Sequence, residues 1–261
     1  MTPGVEVRFE DRGERGRVAH LVIANPDKLN VLNSALMNEI QSVVGELARD
    51  ETLRCLVVQG AGERAFVGGA DVAEMAELDT TSARAFIQRL HHTCEALRAL
   101  PVPAIARIQG HALGAGLELA ASCDLRIASE DATFGMPEVK VGIPSVIEAA
   151  LLPQLIGWGR TRELLFTGRT VDAAEALRIG LVEAVVPAAE LDQAVAERVD
   201  AIVAAGPRAI RLQKALINRW EELPLSEAIE AGIESFAEAY GTDEPRRAMA
   251  AFLQRRHAPR S

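Results

Sequence analysis

Residues 108–129 read IQGHALGAGLELAASCDLRIAS, and the order of elements in this stretch decides the fold. A strand, Pro103 to Gln109, runs into a glycine-bearing loop from Gly110 to Gly116. A short apolar helix, Leu117 to Ser122, follows, and the chain is a strand again by Leu125 to Ser129. Apolar residues run through all three pieces, and short strands alternating with helices are the pattern of an α/β protein.

The same alternation extends outward. Val5–Glu10 and Val18–Ala24 read as strands around a turn-rich Arg12–Gly16, and Ser34–Arg49 carries Leu36, Ile40, Val43 and Leu47 at helical spacing. Leu53–Gln59 is a strand, Gly60–Asp71 a loop, and Ser82–Leu100 a helix that Pro101 and Pro103 end. On the other side, Thr170–Gly180 begins near an acid and ends at glycine, as a capped helix does, and Leu181–Val186 is a strand stopped by Pro187. Beyond Pro187 the segments 189–205, 207–220, 225–240 and 243–256 are all helical in pattern. The chain therefore divides into an α/β core over 1–187 and a helical region over 188–261.

Composition narrows the partners. The 261 residues include 28 Lys+Arg against 37 Asp+Glu, a net charge of −9, which disfavours nucleic acid and anionic membrane. No uncharged run is long enough to span a bilayer, and the charged first sixteen residues do not resemble a signal peptide. Cys55, Cys94 and Cys123 stand singly in apolar segments, which predicts core thiols in a reducing, cytoplasmic compartment rather than disulfides or zinc. The adjacent His91 and His92 point to different helix faces and supply no metal pair. The last sixteen residues hold Arg246, Arg247, Arg255, Arg256 and Arg260 without a carboxylate, either a solvated face or a phosphate- or subunit-contacting patch.

Three stretches combine glycine with acids in apolar surroundings. In 65–71, AFVGGAD, Gly68 and Gly69 let backbone N–H groups approach a ligand, and Asp71 is placed to cap the turn Val72–Met75. In 110–118, GHALGAGLE, a loop opens a helix whose first amides face an anion, with Glu118 inside an apolar helix. In 134–139, FGMPEV, Glu138 is again a lone acid. Backbone donors with two carboxylates suit acyl-thioester chemistry, where charge builds on the carbonyl oxygen and the acids move protons. Plainer readings stand beside this one: Gly68–Gly69 as a simple turn, and Glu118 paired with Arg107 or Arg126. A dinucleotide site fails because no G-x-G-x-x-G falls at the first βα turn with an acid about 20 residues later.

In this order the blocks resemble the enoyl-CoA hydratase/isomerase (crotonase) superfamily. HLVIANPDKLNVLNSALMNEI, AFVGGADVAEM, IQGHALGAGLELAASCDLRIASEDATFGMPEVKVGI and ELLFTGRTVDAAEALRIGLVEAVVP carry the resemblance nearly end to end. It implies a spiral of ββα units with a C-terminal helical region that builds trimers, commonly paired into hexamers. It implies an oxyanion hole from the backbone N–H of Gly68 and of Ala115, with Glu118 and Glu138 as the catalytic pair, the later one protonating carbon and both holding the water. Lys28, Leu29 and Gly68, Gly69, Ala70 and Asp71 would line the coenzyme A moiety, which enters as part of the substrate, so no separate cofactor or metal is expected.

The implied activity is hydration of a 2-enoyl-CoA thioester. Double-bond isomerisation or thioester hydrolysis on the same scaffold is the alternative, and a non-catalytic assembly or RNA-binding role is the reading from a different class. Met75, Phe86 and Leu113 are candidates for the acyl pocket or for plain core. Two positions depart from the family pattern. Residue 115 is Ala rather than Gly, and Ser145-Val146-Ile147-Glu148 stands where many hydratases are glycine-rich. Glu148 reads either as a third carboxylate near the site or as a solvated helix residue.

Overall fold

In the computed structural model, which describes residues 3–257, the chain opens with β1 (Gly4–Asp11) and β2 (Arg17–Ala24), an antiparallel pair. Helix α1 (Ser34–Leu47) follows, with the Asn33 side chain accepting from Leu36 N–H at its start. Three strand pairs come next: β3 (Leu53–Gly60) with β4 (Ala65–Val67), β5 (Ala104–Ile108) with β6 (His111–Leu113), and β7 (Leu125–Ser129) with β8 (Thr133–Gly135). After the first pair come α2 (Val72–Ala76) and α3 (Thr80–Ala99), and after the second comes α4 (Ala115–Ala121). After the third come two short 3-10 turns and then α5 (Leu152–Thr167).

The first strand of each pair joins one sheet and the second joins another. The larger sheet runs β1-β2-β3-β5-β7-β10, parallel from β2 onward, with β10 spanning Ala184–Val186. The smaller runs β4-β6-β8-β9, with β9 (Thr170–Asp172) antiparallel at its edge. Repetition of strand, strand and helix thus winds the chain as a spiral between two sheets. The expected α/β class with a helical C-terminal region is the observed one.

Strands β4, β6 and β8 lie in stretches whose sequence reads as loop or carries no strand signal. Each has three residues, too few for alternation to register, and each is defined by a partner far along the chain. The helix expected over Thr170–Gly180 begins later, at α6 (Ala173–Ile179), because its first three residues pair with β8. Asp172 caps it by accepting from Glu175 N–H at 2.7 Å. Its end is closed by Gly180 in the left-handed region (φ 82°) and a Leu181 N–H bond to Ala176 carbonyl. That closure takes Leu181 out of the expected strand, which shortens to Ala184–Val186.

Strand β3 shows why the larger sheet is apolar throughout. Leu56 and Val58 enter the main core, while Cys55 and Val57 face a second core with Leu191, Val195, Val199 and Val203 of α7 (Leu191–Ala204). Residue 187 marks the change to an all-helical chain, yet α7 covers the sheet and belongs to its packing. The remaining helices are α8 (Pro207–Glu222), α9 (Leu225–Ala239) and α10 (Glu244–His257). All three cysteines are buried and unpaired by disulfide, and burial pushes the Cys55 and Cys123 thiols up to about 12. Among the described residues no helix is long and apolar enough to cross a membrane, and no cluster of three or more His, Cys, Asp or Glu could hold a metal. In the C-terminal basic patch Arg247 pairs with Asp243 at 3.2 Å. The side chains of Arg255 and Arg256, and Arg260 entirely, lie outside the described residues.

Candidate active site

Three adjacent strands of the small sheet, β4, β6 and β8, end side by side, with Ala65 opposite His111 and Leu113 opposite Gly135. The three stretches singled out in the sequence leave those ends: Gly68–Asp71 after β4, Gly114–Glu118 after β6, Met136–Glu138 after β8. Ligands in α/β proteins gather beyond the carboxyl ends of strands because loops and helix N-termini converge there. Contact between the first two is close. A Cβ on Gly116 would strike the Val67 carbonyl, and one on Gly69 would lie 3.4 Å from the Leu113 carbonyl oxygen.

The segment after β4 is held on its other side by residues 28–32. Leu32 N–H donates to Gly69 carbonyl, and Asp71 N–H to Leu32 carbonyl, both at 2.8 Å. Lys28 Nζ lies 3.4 Å from Asp71 Oδ2. Asp71 caps α2, accepting from Ala73 N–H at 2.9 Å. Partial burial works to raise its carboxyl, but the N–H donors of Ala73 and Glu74 and the Lys28 ammonium outweigh this and hold it below the ordinary range. Lys28, Leu29 and the Gly68–Asp71 segment, all expected to line one ligand, are therefore together.

One expectation is corrected here. The Gly68 N–H is already spent, donating to the Leu29 carbonyl at 2.8 Å, so it is not available to an oxyanion. Ala70 N–H, two residues on, has no partner among the described residues. Because a trans peptide points its N–H opposite its C=O, and Gly69 C=O points to Leu32, Ala70 N–H points away from the 28–32 loop, toward the β6 side.

Helix α4 is buried over all seven residues, so it can enter the core only with an apolar sequence, and Glu118 is the exception. Gly114 caps it at φ 51°, and the position a Cβ would take there is filled by Glu138 Oε1. Leu117 and Glu118 N–H bond to the Gly114 carbonyl, whereas Ala115 N–H has no acceptor among the described residues, as expected at a helix's first position.

Glu118 is 4% exposed. Its Oε1 accepts from Ala149 N–H at 3.3 Å, a partial compensation. Burial above all, then the charges of Glu138 and Glu148, push its pKa up to about 8. Glu138 opens the 3-10 turn Glu138–Val141 and accepts the Ser145 hydroxyl on Oε2 at 2.7 Å. Neither arginine considered as a partner for Glu118 serves it. Arg107 pairs with Asp192 at 2.5 Å, and Arg126 with Glu183.

Three features of this region are not legible in the sequence: the Ala70 N–H without a partner among the described residues, the Ser145 hydroxyl donating to Glu138, and His91, whose Nδ1 lies 2.7 Å from Glu148 Oε1. Only Ser145 has a sequence signal, since it opens the Ser145–Glu148 stretch that departs from the glycine-rich pattern the resemblance implies. Glu148 is 6% exposed, which excludes the solvated reading. Of the three acyl-pocket candidates, Phe86 is buried core, and Met75 and Leu113 are part-buried.

Residues 13–260 match the family model described as Enoyl-CoA hydratase/isomerase. The chain belongs to the enoyl-CoA hydratase/isomerase family. It is 40% identical to the short-chain-enoyl-CoA hydratase of Clostridium acetobutylicum over 93% of this chain and 94% of that protein. The crotonyl-CoA hydratase of Syntrophomonas wolfei is 37% identical, again over 93% and 94%. A crystal structure of an enoyl-CoA hydratase from Bacillus anthracis superposes with a TM-score of 0.90 at 32% identity, covering 95% of this chain and 96% of that one.

Proposed function

We propose that the protein is an enoyl-CoA hydratase, adding water reversibly across the conjugated double bond of a 2-enoyl-CoA thioester to give the 3-hydroxyacyl-CoA. The observation that carries this reading is the neighbouring pair Glu118 and Glu138 beside the free N-terminal amides of α4. Ala70 N–H and Ala115 N–H are the donors for the thioester oxygen, and Lys28, Leu29 and the Gly68–Asp71 segment take the coenzyme A part. Negative charge developing on that oxygen gains more from donors already in place than from water that must reorient.

The pair works with one proton. As the water oxygen bonds to Cβ, its proton goes to the ionised carboxylate, and the protonated carboxyl gives its own to Cα, so the pair still carries one proton, now on the other carboxyl. Burial of Glu118 favours holding that proton there in the substrate-free site. For Glu138 to protonate carbon, the proton crosses to it through the bridging water when the thioester binds. Metal and redox chemistry have no step to perform.

Crotonyl-CoA is expected to lose its conjugated-enoyl absorbance as 3-hydroxybutyryl-CoA forms. Appearance of a 3-enoyl thioester or of free coenzyme A thiol instead would assign isomerisation or hydrolysis. The pH profile tests the proton itself. kcat/KM follows ionisations of the free enzyme, and Glu118 is protonated below its raised pKa and loses that proton above it, so kcat/KM is expected to fall as pH passes about 8. A profile still rising beyond about pH 9 would remove the proton from this pair.

The working particle in this reading is a trimer or a pair of trimers. Leu225, Ile229, Ile233 and Phe236 make an exposed apolar stripe along α9, and Phe166 of α5 is as exposed as Leu225, each at 77%. An apolar face of this kind is costly in water and is covered by a second copy of the chain. Light scattering is expected to give three or six times the 28.0 kDa chain mass. A stable monomer at micromolar concentration would contradict it.

A further inference from the structure

The turn Ile147–Leu151 holds the least expected geometry in the molecule. Ile147 has φ 40°, a left-handed conformation that a β-branched side chain strongly resists and that persists only where its surroundings enforce it. The residue it aims is Glu148. One carboxylate oxygen, Oε1, is clamped by His91 Nδ1 at 2.7 Å, while the other, Oε2, is buried with no partner among the described residues. A carboxylate on a side chain 6% exposed, held rigidly at one oxygen and open at the other, is an acceptor built for a donor.

Its position says which donor. Ala149, the next residue, gives its N–H to Glu118 Oε1, so Glu148 stands beside the proton-transfer pair. Ala115 N–H, the donor for the thioester oxygen, lies at the start of α4 and Glu118 a turn further in. In the hydratase reading the acyl chain beyond the double bond is taken to run past Glu118 toward the Ile147–Leu151 turn, which packs on α3 and α4 and where Glu148 and His91 meet. We propose that Glu148, clamped by His91, is a specificity-determining residue that selects 2-enoyl-CoA thioesters carrying a hydroxyl on the acyl chain, by accepting a hydrogen bond from that hydroxyl. The assignment deepens the hydratase reading and rests on it for the direction of the acyl chain.

Crotonyl-CoA and 4-hydroxycrotonyl-CoA differ by the one hydroxyl. The parent is expected to favour the hydroxylated thioester in kcat/KM by about 10- to 100-fold, the scale of a buried hydrogen bond to a charged acceptor. Glu148→Leu, close in volume and lacking both oxygens, is expected to bring the ratio near one. It removes a half-satisfied buried carboxylate, so its melting temperature should equal or exceed the parent's. His91→Ala unclamps the carboxylate and should lower the ratio part-way. A merely structural role for Glu148 would change both rates together and leave the ratio alone. Equal treatment of the two thioesters by the parent, or an unchanged ratio in Glu148→Leu, would overturn the proposal. If Glu148→Leu fails to fold, Glu148→Gln decides, since it keeps the shape and loses the charge; a ratio equal to the parent's is the adverse result. Should neither thioester be hydrated, the hydratase reading fails by itself. Calorimetric affinities of 4-hydroxybutyryl-CoA and butyryl-CoA then judge Glu148 separately, with tighter binding of the first expected and equal binding adverse.

Discussion

Replacing Glu118 or Glu138 by glutamine is expected to lower the hydration rate by about 10²–10⁴, the scale of a positioned acid or base. Both changes leave the fold in place for reasons visible in the structure. In Glu118→Gln the amide oxygen can still accept from Ala149 N–H, and below about pH 8 the new side chain replaces a carboxyl that is already neutral. In Glu138→Gln the amide oxygen can still accept the Ser145 hydroxyl. The double variant should lose less than the product of the two single losses, because the pair handles one water and one proton together. Rates are to be compared on samples of matched melting temperature. Parental turnover in either folded single variant would remove that glutamate from the mechanism, and loss of hydration with retained double-bond migration in Glu118→Gln would make the protein an isomerase.

Ala115→Pro is expected to cost about 10² or more in kcat while hardly moving the melting temperature. Residue 115 is the first of α4, where proline fits the helix and its missing N–H breaks no helical bond. The one thing removed is the donor proposed for the thioester oxygen, and deletion of such a donor costs about 10²–10³. Ala115→Gly keeps the N–H and serves as the control, with a much smaller loss expected. Gly68→Pro would behave differently. Its N–H ties the 28–32 loop through Leu29, so proline there should lower the melting temperature as well as the rate. Near-parental kcat in a folded Ala115→Pro would mean that the oxygen is held elsewhere.

Local pattern alone carries the alternation of strands and helices, since burial on one or two faces imposes a period that neighbouring residues display. The capping of α2 by Asp71 and the end of α6 at Gly180 are equally legible, because both are settled within one turn of chain. So is the isolation of Glu118 among apolar residues. Arg107 and Arg126 are credible partners on sequence, and only the strand directions, which carry them to Asp192 and Glu183, remove them.

Local pattern thus settles which residues are buried, which short segments cap or end helices, and which glutamates are exceptional. Which groups remain free to act depends on long-range pairing. The three-residue strands β4, β6 and β8 exist because backbone groups distant in sequence pair with one another, and no local period announces such partners. The same pairing decides that Gly68 N–H is used by Leu29 while Ala70 N–H is turned away unused, a distinction between near neighbours in one glycine-bearing loop. His91 reaches Glu148 across 57 positions, and Ile147 is held left-handed, because packing between α3, α4 and the Ile147–Leu151 turn outweighs the local backbone preference. A hydrogen-bond donor's availability depends on what long-range pairing has already consumed, and that is settled only when the chain has folded.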